Sequence, residues 1–93
     1  MAKVRFFTLL RQKTGIDEIE IDADKTPVIE FLYEIRDKIG NDIIIKKLLE
    51  DDGSLRKGTI ILVNGINIFS LNKLHTVIKQ DDVVSLFSAG GGG

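Results

Sequence analysis

Apolar and polar residues alternate near both ends of the chain, and one stretch between them repeats every three to four residues. Lys3 to Leu10 reads as a strand, with Val4 and Phe6 on one face and Arg5 and Phe7 on the other. Gln12-Lys13-Thr14-Gly15 is polar and carries a glycine, as a hairpin connection does. Asp17 to Asp22 alternates strictly: Ile19 and Ile21 point inward, while Glu18, Glu20 and Asp22 point to water. The period then changes. Val28, Phe31, Leu32, Ile35 and Ile39 form one helical stripe, opposite Glu30, Glu34, Asp37 and Lys38. Thr26 is placed to cap this helix, Pro27 to occupy its first position and Gly40-Asn41 to end it.

Residues 43–50 carry two signals. Three successive isoleucines favour a strand, whereas Lys46-Lys47-Leu48-Leu49-Glu50 favours a short helix, which is the expectation adopted. Asp51-Asp52-Gly53-Ser54 is a turn, and Thr59 to Asn64 a largely buried strand closed by Asn64-Gly65. Ile66 to Phe69 returns across that turn as a short strand, and Lys79-Gln80-Asp81-Asp82 launches the last strand, Val83 to Phe87. A two-stranded hairpin cannot bury its face alone, so the helix must lie across a sheet of four or five strands. The first and last strands then pair in parallel, with the helix in the crossover. The fold class is α+β. It is a β-grasp with a mixed sheet, one main helix and a short second helix. Residues 1–87 form the domain and residues 88–93 a flexible glycine tail.

Ninety-three residues suffice for one core. A net charge of -1 and the absence of a basic tract argue against nucleic acid as a partner; Lys46-Lys47 and Arg56-Lys57 are isolated pairs. The chain has no cysteine, which excludes disulfides, iron–sulfur clusters and a cysteine nucleophile on it. No apolar run approaches the roughly 18 residues that span a bilayer. The opening Met1-Ala2-Lys3-Val4-Arg5 leads into a strand rather than a signal peptide, so no membrane association and a cytoplasmic location are expected. His75, the single histidine, reads as an exposed loop residue. Glu50-Asp51-Asp52 and Asp81-Asp82 suit turns better than a divalent metal. Neither a metal, a stably bound cofactor nor catalysis on the chain itself is expected.

Two features remain. Gly90 to Gly93 add no side chain to a core, but form a tail thin enough to enter a passage that any Cβ would block. Such a tail either delivers the C-terminal carboxylate to another protein's active site or is simply a loose end. Strand parity also places Phe7 and Phe87 together on the open face of the sheet, close to the tail. They are either a docking patch or are covered by the segment at residues 43–50.

These residues together resemble the ubiquitin-like sulfur carriers of the MoaD/ThiS superfamily, most closely the molybdopterin synthase small-subunit type. Lys3-Val4-Arg5-Phe6-Phe7 is similar to that family's first strand, and Ile61-Leu62-Val63-Asn64-Gly65 to its Val-Asn-Gly element. Asp81-Asp82-Val83, then Phe87, then four residues and Gly92-Gly93 resemble its ending. Two positions depart from the pattern: Ser88-Ala89-Gly90-Gly91 lacks the usual prolines, and Gln80 stands where a glycine is usual. The resemblance implies an E1-like adenylating enzyme as partner, which uses ATP to activate the Gly93 carboxylate. Sulfur from a partner's persulfide then yields a thiocarboxylate. In the molybdopterin pathway the thiocarboxylate enters the synthase large subunit and donates its sulfur to a pterin precursor. Gly90, Gly91 and Gly92 would be the residues recognised as the tail, and Phe7 and Phe87 would bind the partner. The departures leave room for tRNA thiolation or for conjugation to target-protein lysines. A plain β-grasp interaction module is the third reading.

Overall fold

A computed structural model describes residues 1–89; Gly90 to Gly93 lie outside the described residues. The elements run β1 (Ala2–Phe6), α1 (Thr8–Thr14), β2 (Glu18–Ile21), β3 (Thr26–Pro27), α2 (Val28–Ile39), α3 (Ile43–Leu48), β4 (Ile60–Val63), β5 (Ile66–Asn67), β6 (Val77–Ile78) and β7 (Val83–Phe87). Single turns of 3-10 helix at Ile68–Ser70 and Lys73–His75 complete the set. The main sheet has five strands in the order β2-β1-β7-β4-β5. Only β1 and β7 pair in parallel there; β1–β2, β4–β7 and β4–β5 are antiparallel. β3 and β6 make a separate two-stranded ribbon. This is the expected β-grasp architecture, with five strands.

The core follows from the alternation. Val4 and Phe6 of β1, Ile61 and Val63 of β4, and Val84 and Leu86 of β7 all point to one face of the sheet. They share one cluster with Val28, Phe31, Leu32 and Ile35 of α2. Each such buried side chain is worth roughly 1.5–3 kcal/mol. α2 ends at Gly40, as its sequence suggests. The ambiguous segment is helical: α3 packs on α1 and α2 and places Ile44 and Leu48 in the same core.

Three elements differ from the sequence expectation. The first strand stops at Phe6, and Gln12-Lys13-Thr14 is not a tight hairpin turn but the end of α1. Leu9-Leu10-Arg11-Gln12-Lys13 are good helix formers, and a helix sends Leu10 into the core while Leu9 stays half-buried. The Thr14 hydroxyl donates to the Leu10 carbonyl at 2.8 Å, and Gly15 ends α1 in the left-handed region. Second, Thr26 does not cap α2, nor is Pro27 its first helical residue. Both belong to β3, Pro27 is the cap residue, and no side chain caps the helix. The Val28 N–H instead donates to the Thr76 carbonyl at 2.8 Å, so the backbone beside β6 replaces the hydroxyl. Third, the strand at Ile66 ends at Asn67, whose side chain accepts from the Phe69 N–H and turns the chain into the 3-10 helix. The ribbon strand β6 has no counterpart in the sequence reading.

The Asn64-Gly65 turn has positive φ at both residues, the geometry of a two-residue hairpin that matches strand twist. Asn64 also reaches the acidic turn: its side-chain oxygen accepts from the Val83 N–H and its amide donates to Asp82, both at 2.9 Å. Asp82 accepts in addition from the Lys79 N–H at 2.8 Å. Gln80 is compatible with this turn because the left-handed position is Asp81, and Asp is a residue that tolerates that region.

Candidate functional site

β7 carries the chain to the tail, so its last residues decide what surrounds the tail's root. Phe6 pairs with Leu86 on the core face, and Phe7, still extended just past β1, and Phe87, the last residue of β7, turn to the other face. Their rings stack, with centroids 4.5 Å apart and planes 11° from parallel. Each ring covers part of the other, and both are half-buried rather than fully exposed. Ile60 lies opposite Phe87 across the β4–β7 pair and is 42% exposed, so it extends the apolar surface. On the other side Arg5 sits 5.4 Å from the Phe7 ring centre, a cation–π contact. Arg5 and Lys3 both approach Glu18 on β2, at 3.7 and 3.6 Å. The open face thus grades from charge at β2 to aromatic and aliphatic surface at β7 and β4. α3 does not cover it, because that helix packs with α1 and α2 through core residues.

The opposite side of the tail's root has a different character. Ser88, assigned by the sequence to the tail, is buried, and Ala89 is half-buried. Gly58 explains the second contact: a Cβ there would stand 3.0 Å from the Ala89 Cβ, and its φ of +88° suits glycine. Packing therefore continues two residues beyond Phe87. Leu9, Ile43 and Ala89, with Lys46, Lys47, Arg56 and Ser88, line a cleft of about 400 Å³ at this point. Nothing in the sequence flagged it, because its residues come from α1, α3, the loop before β4 and the chain after β7. No local pattern joins them. Gly90, Gly91, Gly92 and Gly93, the tail residues singled out by the sequence, lie outside the described residues.

The remaining candidates have ordinary structural roles. His75 is exposed at the end of its 3-10 turn. Glu50 holds Arg56 at 2.6 Å. Asp52 accepts from the hydroxyl and the backbone N–H of Ser54, and these bonds, the side-chain one first, hold its carboxyl below the usual range. Among the described residues no group of three or more His, Cys, Asp or Glu could hold a metal. No helix among them is long and apolar enough to cross a membrane.

The profile of the ThiS family matches residues 4–93, nearly the whole chain. The chain belongs to the ThiS family. A relative from Archaeoglobus fulgidus, described as a candidate sulfur carrier protein, is 33% identical over 76 residues, 82% of this chain and 84% of the relative. The solution structure of small archaeal modifier protein 1 from Methanosarcina acetivorans is 31% identical, with a TM-score of 0.76 over 99% of this chain and 95% of that one. A Pyrococcus furiosus structure, described as a candidate subunit 1 of a molybdopterin converting factor, is 25% identical, with a TM-score of 0.69 over 94% of each chain. The β-grasp of this ThiS-family chain is thus the ubiquitin-like fold that the sequence indicates.

Proposed function

We propose that this chain is a sulfur carrier whose Gly93 carboxylate is adenylated by an E1-like enzyme and converted to a thiocarboxylate. The observation that carries this reading is the family match itself, which runs through residue 93 and so includes the glycines after the packed domain. A carboxylate is a poor acyl donor until its oxygen becomes part of a leaving group. Attack on the α-phosphate of ATP releases pyrophosphate and supplies that group as an acyl-adenylate. The terminal sulfur of a partner's persulfide then displaces AMP, and cleavage of the S–S bond by a thiol leaves the thiocarboxylate. The carrier contributes a reactive end and a docking face, and the partner the catalytic groups. Docking through Phe7 and Phe87 makes entry of the tail intramolecular and raises its effective concentration.

The recipient in this reading is the large subunit of molybdopterin synthase, with this chain as the small subunit. It is supported by the order of Asp81-Asp82-Val83, Phe87 and Gly92-Gly93, and by the likeness to the Pyrococcus furiosus chain. A second reading, conjugation to target-protein lysines, is favoured by the 31% identity to the Methanosarcina acetivorans modifier. Mass spectrometry of the protein from its native cell separates them. A sulfur carrier shows a C-terminus heavier by the difference between one sulfur and one oxygen atom. A modifier shows an isopeptide bond from Gly93 to lysine. An unaltered acid in cells with an active adenylating enzyme contradicts both.

A further inference from the structure

We infer that Gly58 and Ala89 are positioning residues for the tail: their contact fixes the point where the free chain begins, so that the four glycines alone are presented to the adenylating enzyme. This rests on the carrier reading above. In the β4–β7 pair Ile60 faces Phe87. The same register, carried two residues further, sets Thr59 opposite Ser88 and Gly58 opposite Ala89. Thr59 and Ser88 are buried and Ala89 is half-buried, so packing follows the register past the end of the strand. A Cβ on Gly58 would stand 3.0 Å from the Ala89 Cβ and 3.5 Å from the Ala89 Cα. Apart from the chain neighbours of Gly58, no other described residue comes within 4 Å of that position. The Ala89 methyl thus sits where only a glycine leaves room.

The turn that carries Gly58 is braced. The Thr59 N–H donates to the Arg56 carbonyl at 3.0 Å and closes a turn over residues 56–59. Gly58 is its third residue with a φ of +88°, and Lys57 before it has no positive φ, as in a type II turn. Arg56 ties the turn to α3: its N–H donates to the Leu48 carbonyl and its Nε to the Lys46 carbonyl, both at 2.8 Å. The root of the tail therefore rests on a fixed support. Four residues beyond Ala89 reach at most about 14 Å, against about 21 Å for six beyond Phe87. The α-phosphate of ATP on the enzyme must then come within about 14 Å of Ala89. A shorter free segment also loses less freedom on entering the site and keeps a higher effective concentration there.

The test is ATP–pyrophosphate exchange by the E1-like enzyme of the same cell, with the full chain as substrate and a thermal melt of each variant. Ala89→Gly removes the contact without touching the turn. It should raise the KM for the carrier about fivefold with kcat unchanged, the factor expected when one more residue must be ordered on binding. Gly58→Ala should raise KM as well, and it should also lower the melting temperature, since its φ disfavours any side chain. Gly53→Ala is the control for that strain: its φ is +87°, and a Cβ there would meet no described residue within 4 Å. It should lower the melting temperature similarly and keep the wild-type KM. With Gly58→Ala and Ala89→Gly combined, the new methyl lies 3.5 Å from the Cα at position 89, an ordinary contact, so KM should fall below that of either single variant. A wild-type KM in Ala89→Gly, equal KM rises in Gly58→Ala and Gly53→Ala, or rises that multiply in the double variant would each overturn this proposal and leave the carrier reading intact. A wild-type chain that supports no exchange would overturn both.

Discussion

Phe6 and Phe7 are the same residue in adjacent positions, yet one is 1% exposed in the core and the other stacks on Phe87 on the open face. Leu86 and Phe87 repeat the contrast one strand away. The core face is uniform: Val4, Phe6, Ile61, Val63, Val84 and Leu86 meet one helix stripe. The open face is graded, with Lys3, Arg5 and Glu18 at one edge and Phe7, Phe87 and Ile60 beyond it. Folding requires only one buried face per sheet. The aromatic pair on the other face, beside the start of the tail, contributes less to folding than the core face does and is the surface proposed above for docking.

The largest effects should separate the two faces by stability. Phe6→Ala should destabilise the domain by about 3–5 kcal/mol, since it empties a filled core site. Phe7→Ala loses only the stack and a half-covered surface, and should cost about 1–2 kcal/mol. Equal losses in urea unfolding would erase the distinction. Binding should show the reverse order: Phe87→Lys should weaken affinity for the adenylating enzyme about tenfold or more while the domain stays folded. If Phe87→Lys unfolds the isolated domain, the open face is part of the core. A smaller effect tests the far end of β7. Asn64→Ala removes the two bonds to Val83 and Asp82 and should cost about 1–2 kcal/mol, with exchange kinetics unchanged.

Much of this was legible because strand parity and helix period act locally. Val4, Phe6, Val84 and Leu86 could be assigned to the core from alternation alone, and Phe7 and Phe87 to the opposite face. The helical stripe from Val28 to Ile35 was equally plain. What escaped depends on distant partners. Leu9-Leu10 could continue a strand or begin a helix, and the packing of Leu10 decides for the helix. Thr26-Pro27 reads locally as a helix start, because the strand that claims it, Val77–Ile78, lies far along the chain. The cleft at Ser88 draws on four separate segments, and its chemistry appears only when they meet.

The smallest expected effect is a pH dependence remote from both faces. The Ser54 hydroxyl, then its N–H, lowers the carboxyl pKa of Asp52 in the folded state. The folded value is below the unfolded one, so this contribution to stability is present above the unfolded pKa. It is lost as pH falls through the lowered folded value. Ser54→Ala should flatten the acid limb of a stability–pH profile slightly and leave exchange at neutral pH unchanged. A steeper acid limb in the variant would reverse the sign assigned here.

The central claim is that the glycines serve activation and the packed domain serves docking. Removal of Gly92-Gly93 tests it most directly, with a thermal melt and ATP–pyrophosphate exchange measured on the same sample. Glycines bring no side chain to the core, so the melting temperature should stay at the wild-type value. Exchange should be abolished, because no carboxylate reaches the α-phosphate of ATP. A shortened chain that supports exchange at the intact rate would contradict the account.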